Sequence, residues 1–288
     1  MSKAAVIDIG SNSVRLMFWA DGKVLYKQLS TTRLGEGTAF SLCLKEEAIE
    51  RTARAVSAFA ERAKQEGAED VFAYATEAVR SAENKEVFLA RVRQLSGLEV
   101  EVLSGDTEAK LGLFGALGDS GDGGMIDVGG ASTEVSFRKS GDLVFSVSIP
   151  LGAVRLYDLC HDSIKCLRNS VSPHLEKLSD APKGLPVYGV GGTATTLAAV
   201  YLKLERYSSS AVQGCRIKES ELGPLTAQLL SLSAEERKQL PGMDARRADI
   251  IGGGAFLLTS VLETLGADEL IVSDSDNLEG YIAYKGMQ

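Results

Sequence analysis

The sequence predicts an α/β protein built as two similar halves, each a mixed sheet flanked by helices. Three observations carry this reading. Apolar runs of strand length alternate with stretches of helical periodicity along the whole chain. The segment IDIGSNSVRL at 7–16 returns as IDVGGASTEV at 126–135, an offset of 119 residues. Between the copies lies GDSGDGG at 118–124, a short glycine-rich stretch suited to a boundary, which divides the chain into domains 1–119 and 120–288. A helix over about 277–288 is expected to pack back on the first domain.

The elements follow in order. An apolar strand ends at Asp8 and turns through Gly10-Ser11-Asn12-Ser13 into a strand over 14–20, an Asp21-Gly22 turn and a strand over 23–30. Ile49, Thr52, Val56, Phe59 and Ala63 recur at helical spacing and predict a helix over 45–66. A strand over 70–75, a helix over 85–95 and a strand over 99–103 come next, and Ser104 is placed to cap a helix running to 117. The second copy repeats the opening, with strands over 133–139 and 143–149 around Gly141-Asp142. A helix over 151–159, a strand over 187–190 entering Gly191-Gly192-Thr193 and a helix, a long helix over 247–265, a strand over 269–272 and a last helix complete the chain.

Composition narrows the function. The 288 residues are 44% hydrophobic and 24% charged, as in an ordinary globular protein, and no apolar run approaches the roughly 18 residues of a membrane span. The start runs straight into a strand with no export leader, which predicts the cytoplasm. Lys plus Arg number 31 against 39 Asp plus Glu, a net charge of −8 that argues against nucleic-acid or membrane partners. A phosphate ligand would therefore need a local positive pocket. Cys43, Cys160, Cys166 and Cys215 form no C-x-x-C pair and read as buried or incidental thiols rather than a disulfide frame or zinc site. His161 and His174, 13 apart, do not read as metal ligands.

The repeated turn carries the chemistry. A Gly-Ser-Asn-Ser turn exposes consecutive N–H groups and hydroxyls, a concave receptor for phosphate oxygens, while the neighbouring Asp8 would repel phosphate unless a divalent cation lay between. One such turn alone would read as a simple hairpin. Two copies, the second with both Asp127 and Glu134, make a metal-phosphate reading the stronger one, and Gly191-Gly192-Thr193 adds a third turn where a helix N-terminus can attract anions or merely pack closely on its strand.

The chain resembles the exopolyphosphatase and guanosine pentaphosphate phosphohydrolase (Ppx/GppA) family of the actin-like superfamily. The resemblance rests on IDIGSNSVRL (7–16), TTRLGEG (31–37), ATEAVRSAEN (75–84), VLSGDTEAKLGLFG (102–115), MIDVGGASTEV (125–135), IPLGAVRL (149–156), VYGVGGTATTLAAV (187–200) and RADIIGGGAFLL (247–258). It implies two actin-like (ribonuclease H-like) domains with an active-site cleft between them, and hydrolysis of terminal phosphoanhydride bonds. It implies Glu108 as the residue that orients or deprotonates water, although read alone Glu108 is a first-turn carboxylate favouring a helix dipole. Glu134 and Arg80 would join it in catalysis, Arg80 as the first choice for a phosphate clamp, with Asp8, Asp127 and Glu134 holding Mg²⁺. The phosphate cradle would be Gly10, Ser11, Asn12, Ser13, Arg15, Arg33, Gly129, Gly130, Ala131, Ser132, Gly191, Gly192 and Thr193, with Arg155 a further cation.

The implied substrate is inorganic polyphosphate, with guanosine pentaphosphate the alternative and a homodimer the assembly that the resemblance suggests. A nucleotide-dependent kinase or ATPase, and a noncatalytic polyphosphate or alarmone sensor, are the readings of other classes. Three departures stand out. Glu77 occupies a position where the family commonly has serine, Thr107-Glu108-Ala109-Lys110 lacks a second acid and an arginine, and VSDSDNLEGY at 272–281 replaces a basic pattern.

Overall fold

The computed structural model describes residues 3–118 and 121–287. The chain divides into two compact units, residues 1–108 with 278–288, and residues 109–277. The sequence boundary between 119 and 120 lies outside the described residues.

In the first unit, β1 (Lys3–Ile9), β2 (Ser13–Ala20) and β3 (Lys23–Thr31) form an antiparallel meander, and β4 (Asp70–Ala75) and β5 (Val100–Val102) extend it in parallel on the other side of β1. The order is β3-β2-β1-β4-β5. The central strand is apolar nearly throughout because both sheet faces are covered. On one face lies α1 (Glu46–Gln65), whose buried stripe holds the five residues that its periodicity marked. The short α2 (Glu77–Arg80) follows β4, and α3 (Lys85–Ser96) packs on α1. On the other face the last helix, α12 (Asn277–Tyr284), stacks Tyr281 on Tyr74 with ring centroids 4.7 Å apart, and the Tyr281 hydroxyl donates to Glu101 at 2.6 Å.

Helix α4 (Gly105–Leu117) begins in the first unit and ends in the second, so the division falls between Glu108 and Ala109. Two glycines explain this. A Cβ at Gly112 would meet the Met125 side chain, and one at Gly115 would meet the backbone of Asp276, so the later turns of α4 belong with the second sheet.

The second unit repeats the plan. β6 (Gly123–Val128), β7 (Thr133–Lys139) and β8 (Asp142–Ile149) form the meander. After α5 (Ala153–Cys160) and α6 (Ile164–Leu175), β9 (Val187–Val190) pairs in parallel with β6 and leads into α7 (Gly191–Tyr201). The short α8 (Ser209–Val212), β10 (Arg216–Lys218), α9 (Glu219–Ser231), α10 (Ala234–Arg237) and α11 (Ile251–Leu265) precede β11 (Glu269–Val272). The order β10-β11-β9-β6-β7-β8 is that of the first sheet with one antiparallel edge strand added. The repeat reaches fine detail: the ladder slips between Phe18 and Trp19 and again between Phe137 and Arg138, the same offset of 119.

The long helix starts at Ile251 rather than at 247, because Arg247 to Ile250 are taken up in a turn in which Asp244 O accepts from Arg247 N and Arg247 O from Ile250 N. The reading of the cysteines is corrected at one pair: Cys160 and Cys166 form a disulfide across the α5–α6 turn. Their spacing of six residues follows no recognised motif, and only the reversal between the helices brings them together. The closed loop holds Asp162, which pairs at 2.8 Å with the fully buried Arg237, and that guanidinium also donates to Leu229 O at 2.6 Å and Ala248 O at 3.1 Å.

Replacing Cys160 and Cys166 together with serine is expected to lower the unfolding free energy by about 2 kcal/mol, the loop-closure value for so short a loop. Urea unfolding checks this, and the wild-type midpoint in dithiothreitol should fall to that of the double variant.

Candidate active site

The two hairpin turns share one geometry. Gly10 N donates to Ser13 O at 3.1 Å, and Gly129 N donates to Ser132 O at 3.0 Å. In both, a Cβ on the glycine would lie 3.2 Å from that carbonyl. The first turn is wrapped by the segment after β3: Arg33 N donates to Asn12 O at 2.8 Å and Gly35 N to Ser11 O at 2.8 Å. Gly35 is required for this approach, since a Cβ there would sit 2.9 Å from the Ser11 Cβ. The carbonyls of the turn are thus consumed, while the N–H groups of Ser11 and Asn12 donate to no acceptor among the described residues. The Asn12 amide is buried, and neither its nitrogen nor its oxygen has a hydrogen-bond partner. A buried, unsatisfied amide beside open N–H groups is what an anion receptor requires.

Register separates the two turns chemically. Asp8 stands directly opposite Arg15 in the first hairpin, and Arg15 Nε donates to Asp8 Oδ2 at 2.9 Å. The equivalent pair in the second hairpin is Asp127 opposite Glu134. Two carboxylates facing one another across an antiparallel ladder repel, whereas an acid facing an arginine is self-neutralising. Glu134 also accepts from the Ser148 hydroxyl at 2.9 Å.

This contrast tests the metal assignment. No group of three or more His, Cys, Asp or Glu is placed to hold a metal by itself among the described residues. The opposed Asp127 and Glu134 fit a hard cation that takes one or two carboxylates and completes its shell with water and phosphate oxygens. Asp8 is already bound to Arg15 and offers less to a metal.

The second turn is backed by α5 and joined by α7. The first N–H groups of α5 are used on the turn itself, Ala153 N donating to Gly129 O at 2.8 Å and Val154 N to Gly130 O at 2.9 Å. A Cβ at Gly152 would fall 2.5 Å from Gly130. These bonds use the carbonyls of Gly129 and Gly130, while the N–H groups of Gly130 and Ala131 donate to no backbone acceptor among the described residues. Gly191 adopts a left-handed φ of 75°, and a Cβ there would lie 2.5 Å from Asp127 Oδ1. Asp127 and the N-terminus of α7 are therefore neighbours. Thr193 Oγ1 donates to Val128 O at 2.8 Å and ties the helix to the end of β6. The structure so collects Asp127, Gly129–Ser132, Glu134 and Gly191–Thr193 in one place within the second unit. Arg155 donates from Nη1 to Pro150 O at 2.8 Å.

In the first unit, Glu108 lies in the opening turn of α4, where Ser104 Oγ accepts from Thr107 N at 3.2 Å as the expected cap. The Glu108 side chain is buried and accepts from Arg80 Nη1 at 2.8 Å. Burial pushes its carboxyl up to about 7, Arg80 opposes that shift, and the charges of Asp8 and Glu77 add to it. Burial also disfavours the Arg80 charge, but Glu108 and Glu77 outweigh it and hold the guanidinium protonated.

Two features escaped the sequence. Arg247 packs its guanidinium on Gly192, leaving no room for a Cβ there; its segment carried the resemblance, but nothing in the spacing joins 247 to 192. In the acidic 272–281 segment Asp274 is met from afar: it accepts from the Tyr207 hydroxyl and from Ser209 Oγ at 2.5 Å, and burial, then Asp274, raises the tyrosine's ionisation far above its ordinary value. Glu77, one of the departures legible in the sequence, grips Arg80.

The model of the Ppx/GppA phosphatase family matches residues 7–285. The chain is 32% identical to exopolyphosphatase 2 of Mycobacterium tuberculosis over 97% of each chain. It is 27% identical to a guanosine-5'-triphosphate,3'-diphosphate pyrophosphatase of Vibrio atlanticus, covering 98% of this chain and 58% of that one. The Aquifex aeolicus Ppx/GppA family member superposes with a TM-score of 0.80 at 31% identity, covering 99% of this chain and 98% of that one. An exopolyphosphatase-like protein superposes with a TM-score of 0.91 at 26% identity, covering 99% and 97%.

Two outcomes follow from this geometry. A carboxyl raised in the folded state above its unfolded value near 4.5 binds the extra proton when folded, so its contribution to stability falls as pH rises from about 5 through about 7. Thermal unfolding of wild type and Glu108→Gln across pH 5 to 8 should therefore show the variant gaining relative stability with pH, by about 1–3 kcal/mol. Gly191→Ala, forced into a left-handed φ against Asp127, should cost about 1–3 kcal/mol in urea unfolding.

Proposed function

The chain belongs to the Ppx/GppA phosphatase family, and from that membership we propose that it is a phosphohydrolase releasing terminal phosphate from inorganic polyphosphate. The observation that carries the reading is Glu108, a buried carboxylate with a raised ionisation, held by an arginine at the capped start of a helix. Such a group, partly ionised at neutral pH and basic enough to take a proton there, suits activation of water.

In the proposed reaction Glu108 accepts a hydrogen bond from water and orients it. As the water oxygen bonds to the terminal phosphorus, the bridging P–O bond breaks, the chain one unit shorter leaves with the bond's electron pair, and the proton passes to Glu108. Each hairpin turn offers N–H groups to phosphate oxygens, supplemented by the Asn12 amide in the first unit and by the first turn of α7 in the second. Asp127 and Glu134 would hold Mg²⁺, which would neutralise part of the phosphate charge when bound.

Polyphosphate is favoured over guanosine pentaphosphate because the relative named exopolyphosphatase matches over nearly its whole length, whereas the chain spans little more than half of the pyrophosphatase. Phosphate release from each substrate with Mg²⁺ distinguishes them. Glu108→Ala should lower kcat by about 100-fold or more. In the wild type kcat/KM should climb with pH through about 7 as Glu108 ionises, a limb absent from the residual activity of Glu108→Ala. Equal turnover by this variant and the wild type overturns the assignment.

A further inference from the structure

Glu77 opens α2, one helical turn before Arg80. Its Oε2 accepts from Arg80 Nη2 at 2.7 Å and from Nε at 3.2 Å, and its Oε1 accepts from Ser81 Oγ at 2.6 Å. The other end of the same guanidinium donates from Nη1 to Leu103 O and to Glu108 Oε2, each at 2.8 Å. A guanidinium carries five N–H donors. Here Nε, both hydrogens of Nη1 and one of Nη2 are engaged, leaving a single N–H on Nη2. Arginine grips a phosphate through two parallel N–H bonds, and the edge that would do so is the Nε–Nη2 edge that Glu77 occupies. Both partners are largely sequestered from water, so their attraction is only partly screened.

We propose that Glu77 is an affinity-setting residue, a built-in carboxylate that occupies the phosphate-binding edge of Arg80 and must be displaced when an anhydride terminus binds. The inference rests on the reading of Arg80 as a phosphate ligand in a phosphohydrolase. Displacement costs the bound state the Glu77–Arg80 pair, whereas the Arg80–Glu108 contact lies on the other edge and survives. Residue 77 therefore weakens substrate binding with no hydrogen bond to the water-activating carboxylate, whose ionisation it raises only through its charge. Ser81 holds Glu77 in this position and gives the displaced carboxylate an anchor.

The experiment compares wild type with Glu77→Gln, which keeps the shape and removes the charge, and with Glu77→Asp, which keeps the charge. For Glu77→Gln the KM for polyphosphate and the dissociation constant of inorganic phosphate, measured by calorimetry, should each fall about 5- to 10-fold, with kcat within about twofold. Glu77→Asp should stay close to wild type in both. In an Arg80→Ala background the Gln substitution should change phosphate binding by less than about twofold. A purely structural Glu77 would instead give a lower kcat or melting temperature with KM unchanged or raised, and that result overturns the proposal. Calorimetry keeps the two readings apart: phosphate binding that tightens in Glu77→Gln without any turnover by the wild type sinks the phosphohydrolase reading and leaves this one standing. Phosphate affinity equal in the two proteins sinks the role of Glu77 even if the enzyme is active.

Discussion

The arrangement of each half depends on the register of one antiparallel hairpin. In such a ladder two residues of the same face stand directly opposite, about 5 Å apart at Cβ, and a slip of one strand by one residue would turn its member of the pair to the other face. The glycine turn locks that register by closing on the serine three residues later. One sequence position then decides the chemistry. With Arg15 opposite Asp8 the first hairpin neutralises its own acid; with Glu134 opposite Asp127 the second concentrates negative charge beside a helix N-terminus. Duplicated backbone and divergent side chains so give one scaffold a self-neutralised acid in one copy and an opposed carboxylate pair in the other.

Around Glu108 the same economy of charge applies. A carboxylate deep in protein is disfavoured, and its full ionisation needs a compensating cation close by. Arg80 supplies it, yet Arg80 is shared with Glu77 and with a backbone carbonyl. Sharing spreads one positive charge over two acids, so that Glu108 keeps a raised ionisation beside an arginine. A serine at position 77 would leave the guanidinium more open and the local charge more positive. The departure noted in the sequence is in this sense a change in how a single arginine is divided, and not the loss of a motif.

Much of this was legible beforehand where the signal is local. The α1 stripe, the β4 and β9 strands, the Ser104 cap and the repeat at 119 residues all follow from periodicity and turn chemistry within a few residues. The helix over 247–265 lost its first turn because Asp244 and Arg247 prefer to close on each other. The disulfide was not legible, since cysteine spacing says nothing about which helices reverse between the two. Nor was the quiet role of 272–281, whose acids look like surplus charge until Tyr207 and Ser209 are brought to Asp274 from more than 60 positions away.

The sequence by itself determined the fold class, the duplication, the family and the residue types available for phosphate chemistry, because these are written in short-range patterns and in motifs whose order is read directly. The tertiary structure decided which charges meet. Asp127 lies against Gly191, Arg247 on Gly192, and Arg80 on Glu108, each through contacts between elements separated along the chain, while Glu77 meets the same arginine from within its own helix. Electrostatic energy depends on distance and burial, and neither is a property of sequence position; only the folded chain can say whether a carboxylate repels a phosphate, binds an arginine or takes a proton from water.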